Sequence, residues 1–225
     1  MLEQRIKAVI EKIAKAARVR GTDPTDITLV AVSKTVDIEV IKRAFELGIS
    51  NFGENRVKEL RTKMNLLPGA KWHLIGRIQT NKVREITENI CLIHSLDRWN
   101  LAEELNRRGE RLGSDLSCLL QVNIAREEQK AGVAPNDIRH FLDSVGQLKR
   151  LRILGLMTMA PIVDQAEEAR PIFRELYAIN TELQKSEFNN VQLKYLSMGM
   201  SQDYEIAVQE GANIVRIGGA IFNDY

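Results

Sequence analysis

Lys34 is the first residue whose type and place could do chemistry. It follows the run Leu29-Val-Ala-Val-Ser33, where a strand would end and an amine would leave the apolar interior partly desolvated. Desolvation disfavours the ammonium and frees the amine as a nucleophile. Taken alone, a loop lysine whose ammonium reaches out to water is the commoner situation. Two more segments bear on it. Ser197-Met-Gly199-Met-Ser201 follows an apolar run and precedes a helical pattern from Tyr204 to Val208. Gly199 permits a tight turn there, and Ser201 is a natural N-cap for that helix. Arg216-Ile-Gly218-Gly219 ends the last apolar run. Two adjacent residues without a Cβ let backbone N–H groups approach an anion. Each segment alone is a turn and a cap; together, at neighbouring strand ends, they read as an anion cradle. Asn55 closes Asn51-Phe-Gly-Glu-Asn55 at another exit, placed either to donate to a ligand oxygen or to satisfy a turn. Met157 ends Gly155-Leu-Met157, and either packs on a flat ring or fills the interior.

Other chemistries find no support. His73, His94 and His140 share no metal-ligand spacing, and Cys91 and Cys118 are not paired with them, so the histidines read as structural or hydrogen-bonding groups. His73-Leu-Ile-Gly76 with Gln79, Asn81 and Lys82 lacks the phosphate-loop spacing. Neither a GxSxG elbow nor a GxGxxG turn after the first strand is present. What remains is a reactive lysine facing a phosphate cradle, the constellation for pyridoxal 5′-phosphate (PLP). A lysine Schiff-base aldolase acting on a sugar phosphate would use the same constellation, and stays open at this point.

The elements that must position these residues alternate along the chain. Residues 1–20 space Leu2, Ile6, Val9, Ile10, Ile13 and Ala17 as one face of a leading helix, stopped at Gly21-Thr-Asp-Pro24. A β-branched run follows at 27–33, then a helix opened by Asp37 and closed by Gly48. Further short apolar runs lie near 49–53, 71–76, 90–96, 116–124, 151–157, 192–197 and 213–217. Charged segments of helical period separate them, with Pro171 in a first turn. Strands alternating with helices imply βαβ units and a parallel sheet. Eight units in even rhythm predict a closed (β/α)8 barrel over 1–225 rather than an open doubly wound sheet, with no linker dividing the chain. The site would then lie at the C-terminal ends of the strands, with the loops after strands 7 and 8 forming the phosphate site.

Composition limits the partners. The 225 residues are 44% apolar and 28% charged with a net charge of +2, which gives no strong electrostatic case for nucleic acid or an acidic membrane. The longest apolar stretch, 27–32, is far short of the roughly 20 residues that span a bilayer. Acidic Glu3 and Glu11 interrupt the N-terminus, unlike a secretory signal. Two lone cysteines fit a reducing, cytoplasmic setting.

Taken together, Ala31-Val-Ser-Lys-Thr35, Asn51-Phe-Gly-Glu-Asn55, Trp72-His-Leu-Ile-Gly76 with Gln79 and Asn81-Lys82, Gly155-Leu-Met157, Leu196-Ser-Met-Gly-Met-Ser201 and Val215-Arg-Ile-Gly218 resemble the YggS/PROSC family, the PLP homeostasis proteins. The pieces occur in family order from residue 31 to the end. The resemblance implies a barrel similar to the N-terminal domain of alanine racemase. It implies that Lys34 carries PLP as a Schiff base, and that Ser201, Gly218 and Gly219 hold the phosphate. Arg216 would face the pyridine nitrogen, with Asn55 and Met157 near the cofactor. It also implies a role in vitamin B6 and amino-acid balance without established turnover. PLP-dependent apo-enzymes are the expected recipients, and the expected assembly is a monomer or weak dimer. Two departures stand out. Gly219 replaces the family's usual Thr or Ser, and the usual Phe-Gly-x-Arg ending is shortened to Ile221-Phe-Asn-Asp-Tyr225. The alternatives are an amino-acid racemase or decarboxylase using PLP, and the aldolase. An always-cationic Arg216 at the ring nitrogen weakens the electron sink, although alanine racemase works with such an Arg. Racemisation further needs an opposing acid/base, which alanine racemase takes from a second domain and this chain, ending after strand 8, is not expected to supply.

Overall fold

The fold is that of a computed structural model describing residues 1–127 and 129–223. Thr28–Val32 (β1), Asn51–Glu54 (β2), Lys71–Leu74 (β3), Leu92–Leu96 (β4), Leu116–Gln121 (β5), Leu151–Met157 (β6), Val191–Ser197 (β7) and Ile214–Ile217 (β8) form a closed barrel in chain order. All neighbours pair in parallel, and β1 closes on β8 with Val30 opposite Arg216. The helices are Leu2–Arg20 (α1), Ile38–Glu46 (α2), Val57–Leu66 (α3), Trp99–Leu112 (α4), Ile138–Val145 (α5), Arg170–Leu183 (α6), Tyr204–Gln209 (α7) and Gly219–Phe222 (α8). The predicted barrel and its leading helix are both present.

Two hydrophobic layers hold it. Val30, Leu92, Leu119, Met157 and Ile214 fill the barrel, while the opposite strand faces, with Ala31, Phe52, Trp72 and Leu74, pack outward against the helices. α1 buries Leu2, Ile6, Val9, Ile13 and Ala17 against α7 and α8, and Gly21 ends it in a left-handed conformation at φ 82°. Asp37 Oδ1 accepts from the Glu39 N–H at 2.8 Å, the expected cap of α2. Pro171 lies in the first turn of α6.

The rhythm breaks in two places. Between β3 and β4 the chain makes a 3-10 stretch, Thr80–Glu85, rather than an α-helix. Val83 is its only buried residue, and one anchor gives no amphipathic face to stabilise an α-helix. β8, read as the one strand without a following helix, leads into the single turn α8. Asp224 and Tyr225, the last residues of the Ile221-Phe-Asn-Asp-Tyr225 ending, lie outside the described residues.

Candidate functional site

β1 ends at Val32, and Ser33–Val36 form a tight turn closed by the Val36 N–H donating to Ser33 O at 3.0 Å. Lys34 and Thr35 are its apex. Thr35 takes φ 64°, a left-handed conformation that β-branched residues rarely adopt. The expected partial desolvation of Lys34 is not seen: standing on the apex rather than inside the rim, the residue is exposed.

Across a cavity of about 660 Å³, Lys34 and Thr35 face Gly218, Gly219, Phe222 and Asn223. The two glycines keep that cavity open. A Cβ on Gly218 would lie 3.2 Å from Val32 O, and one on Gly219 would lie 3.0 Å from Asn223 Oδ1. Gly219 is also the first residue of α8, so its N–H has no partner within the helix. Ser201 is not the N-cap of α7, contrary to expectation. A two-residue turn separates it from Tyr204, and its Oγ instead accepts from the Ala220 N–H at 3.2 Å. The Ser201 hydroxyl therefore sits at the start of α8, beside Gly219, and ties the β7–α7 loop to the cradle. Asp203 Oδ1 holds the loop from its other side, accepting from the Met200 N–H at 2.6 Å.

Arg216 points into the barrel and is buried. Its guanidinium donates to Ser197 Oγ at 2.6 Å and to Thr158 O at 2.9 Å. Ser197 Oγ meets His94 Nδ1 at 2.9 Å, His94 Nε2 meets His73 Nδ1 at 2.9 Å, and His73 Nε2 meets Asn51 Oδ1 at 3.1 Å. The donors along this chain can be assigned from its ends. Asn51 Oδ1 accepts, so His73 carries its proton on Nε2 and accepts on Nδ1. His94 must then also carry its proton on Nε2 and accept from the Ser197 hydroxyl, which accepts from Arg216. With both histidines neutral every bond runs the same way, from Arg216 to Asn51, and burial favours that neutral form. Burial accordingly pushes His73 down to about 4, assisted by the Lys71 charge. Burial takes His94 well below its usual value too, with His73 and Arg216 adding to it. Burial also lowers Arg216, to about 10, against the opposing pull of Asp203. The guanidinium stays cationic at neutral pH.

The remaining expected residues lie apart. Met157 is 1% exposed within the inner apolar layer. Asn55 is exposed and lines a neighbouring cleft of about 750 Å³ with Arg56, Lys58, Arg77 and Lys82. Its backbone is pressed by the β3 exit, where a Cβ on Gly76 would come within 2.3 Å of Asn55 O. The structure thus joins Lys34, Gly218 and Gly219 around one cavity with Ser201 at its edge. Arg216 and Met157 lie in the barrel interior, and Asn55 borders the neighbouring cleft. Sequence reasoning missed the serine–histidine relay behind Arg216 and a buried lysine, Lys63, beneath Lys34. The Glu59–Lys63 spacing of four was the one visible signal for the latter.

A closed barrel with a lysine after β1 and a glycine turn after β8 defines a class, that of the alanine racemase N-terminal domain. The model of that domain matches residues 5–225. The barrel also superposes on alanine racemase of Clostridium difficile with a TM-score of 0.73, at 15% identity, covering 95% of this chain and 58% of that one. Within that class the chain belongs to the pyridoxal phosphate homeostasis protein family. It is 41% identical over 223 residues to the protein of that name from Aquifex aeolicus, covering 98% of this chain and 97% of the relative. The Escherichia coli protein of the same name is 37% identical, covering 95% and 92%. Among solved structures, PipY of Synechococcus elongatus with PLP bound matches with a TM-score of 0.83 at 36% identity, covering 99% of this chain and all of that one.

Proposed function

We propose that this protein binds PLP at the mouth of its barrel, holds it on Lys34 and releases it to apo-enzymes in the cytoplasm, without turning over amino acids. The observation that carries this reading is the single cavity on which the Lys34 turn and the side-chain-free Gly218-Gly219 turn both open. PLP supplies an aldehyde that an amine can condense with, releasing water, and a ring that withdraws electrons. This chain's residues fit that group. Lys34 presents an exposed amine, Gly218 and Gly219 leave space that any side chain would fill, and Ser201 Oγ sits beside them. Relatives that match the chain over nearly their whole length are named for PLP homeostasis rather than for a reaction.

Arg216 bears on carrier against enzyme. Its guanidinium is fixed by Ser197 and Thr158 and stays cationic. Were it to face the ring nitrogen, as the family resemblance implies, that cation would disfavour protonation there and weaken carbanion stabilisation. The test is borohydride reduction of the PLP-loaded protein followed by peptide mapping. A pyridoxyl group should be fixed on the peptide containing Lys34, and Lys34→Ala should lose the visible absorption of that complex. A label on Lys82 or Lys130 would overturn the assignment.

A further inference from the structure

Beneath the Lys34 turn lies a buried ion cluster that none of the site chemistry above uses. Lys63, on α3, is 8% exposed, and its ammonium has three donors. They go to Ser33 O at 2.8 Å, Glu54 Oε1 at 2.9 Å and Glu59 Oε1 at 2.9 Å. Each of these acceptors also grips the residues around Lys34. Ser33 O is the carbonyl that closes the turn with the Val36 N–H. Glu54 Oε1 accepts from Ser33 Oγ at 2.6 Å. Glu59 Oε1 accepts from the Thr35 N–H at 3.2 Å, on the far side of the apex. Thr35 Oγ1 in turn donates to Lys34 O at 2.6 Å. The left-handed Thr35 is thus held by a bond to its own N–H and by a carbonyl anchored two residues before it.

We propose that Lys63 is a positioning residue for Lys34, fixing through Glu54, Glu59 and Ser33 O the turn that carries the amine. This rests on Lys34 being the PLP-bearing residue. The physical reason is that a nucleophile on a preset backbone has less orientation to lose before it bonds. With its three donors engaged by buried or half-buried acceptors, Lys63 is a strut and not a second amine for the cofactor. Glu54 Oε2 is buried without a partner, so this carboxylate depends on Lys63 and Ser33 for its compensation.

The experiment compares two ligands on the full-length protein. PLP can bond to Lys34; pyridoxine 5′-phosphate shares the ring and phosphate but has no aldehyde. In Lys63→Met the visible band with PLP should form about ten- to a hundredfold more slowly, the scale of lost preset geometry. Pyridoxine 5′-phosphate should bind as in the unsubstituted protein, and Lys63→Arg should restore part of the rate. Glu59→Ala removes the half-exposed end of the cluster and should show the same split more weakly. It decides the matter if Lys63→Met does not fold. An unchanged rate, or equal weakening of both ligands, would overturn the positioning role, the second because Lys63 would then only hold the mouth together. Borohydride mapping of the unsubstituted protein separates the two assignments: a label away from Lys34 defeats the site itself, whereas a label on Lys34 with unaltered kinetics defeats only the strut.

Discussion

Ser201 shows how much one hydroxyl can decide at the residue scale. As a cap of α7 its loss would have loosened that helix; as an acceptor for the Ala220 N–H it belongs to the cradle. Ser201→Ala should therefore weaken PLP retention by roughly 1–3 kcal/mol, the scale of a hydrogen bond to a charged group. Amide exchange should quicken in α8 and stay unchanged in α7. The opposite pattern, with PLP held as before, would reduce Ser201 to a structural serine. Gly219 is a second case. A Cβ there would press on Asn223 Oδ1 at 3.0 Å, so a side chain at this position competes with Asn223 for the same space. Gly219→Ser should displace Asn223 before it adds a phosphate contact, and a crystal structure of the variant would show which occurs.

Among elements, α1 has the least visible connection to the site and a direct structural one. It packs on α7 and α8, which flank the Ser201 and Gly219 ends of the cradle. Lys12 Nζ pairs with Glu205 at 3.0 Å, and Arg20 donates to Gln209 O at 2.8 Å. Ile13, 5% exposed, is on the buried face of α1. Ile13→Ala should lower stability in urea by about 2–5 kcal/mol and should make PLP release faster. Lys12→Ala removes an exposed pair and should cost no more than about 1 kcal/mol. If Ile13→Ala destabilises without affecting release, α1 supports the barrel but not the cradle.

For the whole molecule, the relay from Arg216 to Asn51 links pH to stability. Both histidines are held below their ordinary values, so the unfolded chain binds more protons than the folded one as pH falls from about 6.5 toward 4. Their contribution is complete above that window and is lost through it. For His73 alone, the drop from 6.5 to about 4 corresponds to about 3 kcal/mol. Glu54 and Asp203 work the other way, since burial raises both. The clean measurement is therefore the difference in urea stability between the unsubstituted protein and His73→Gln across pH 4–7, with a flatter acid limb expected for the variant. Equal slopes would show that His73 protonates freely in the fold. The carrier reading belongs to this scale too. With PLP bound, Cα–H exchange of common amino acids in deuterated water should stay far below enzyme-like rates of roughly 1 per second, while PLP passes to an apo-enzyme acceptor. Exchange at those rates would make the protein an enzyme.

The barrel was legible because its signals are local. Runs such as Leu29–Ser33 and Val215–Ile217 are β-branched and short, and the charged helical segments between them leave a parallel closed sheet as the consistent topology. Lys34, Gly218 and Gly219 stood out only in combination, since each alone is an ordinary turn residue at a strand end. The 3-10 stretch after β3 was less legible, because only Val83 within it turns out to be buried, and burial depends on the tertiary fold. What tertiary structure alone decided is which side chains meet. Ser201 reaches Ala220, 19 residues away, and His94 reaches Ser197, 103 away. Lys63 reaches Ser33 across 30 residues. Periodicity places each of these on an element, but only closing the barrel brings β4 to β7 and α3 under the β1 turn. Buried polar groups must find partners wherever closure puts them, and that pairing is written in no local stretch of sequence.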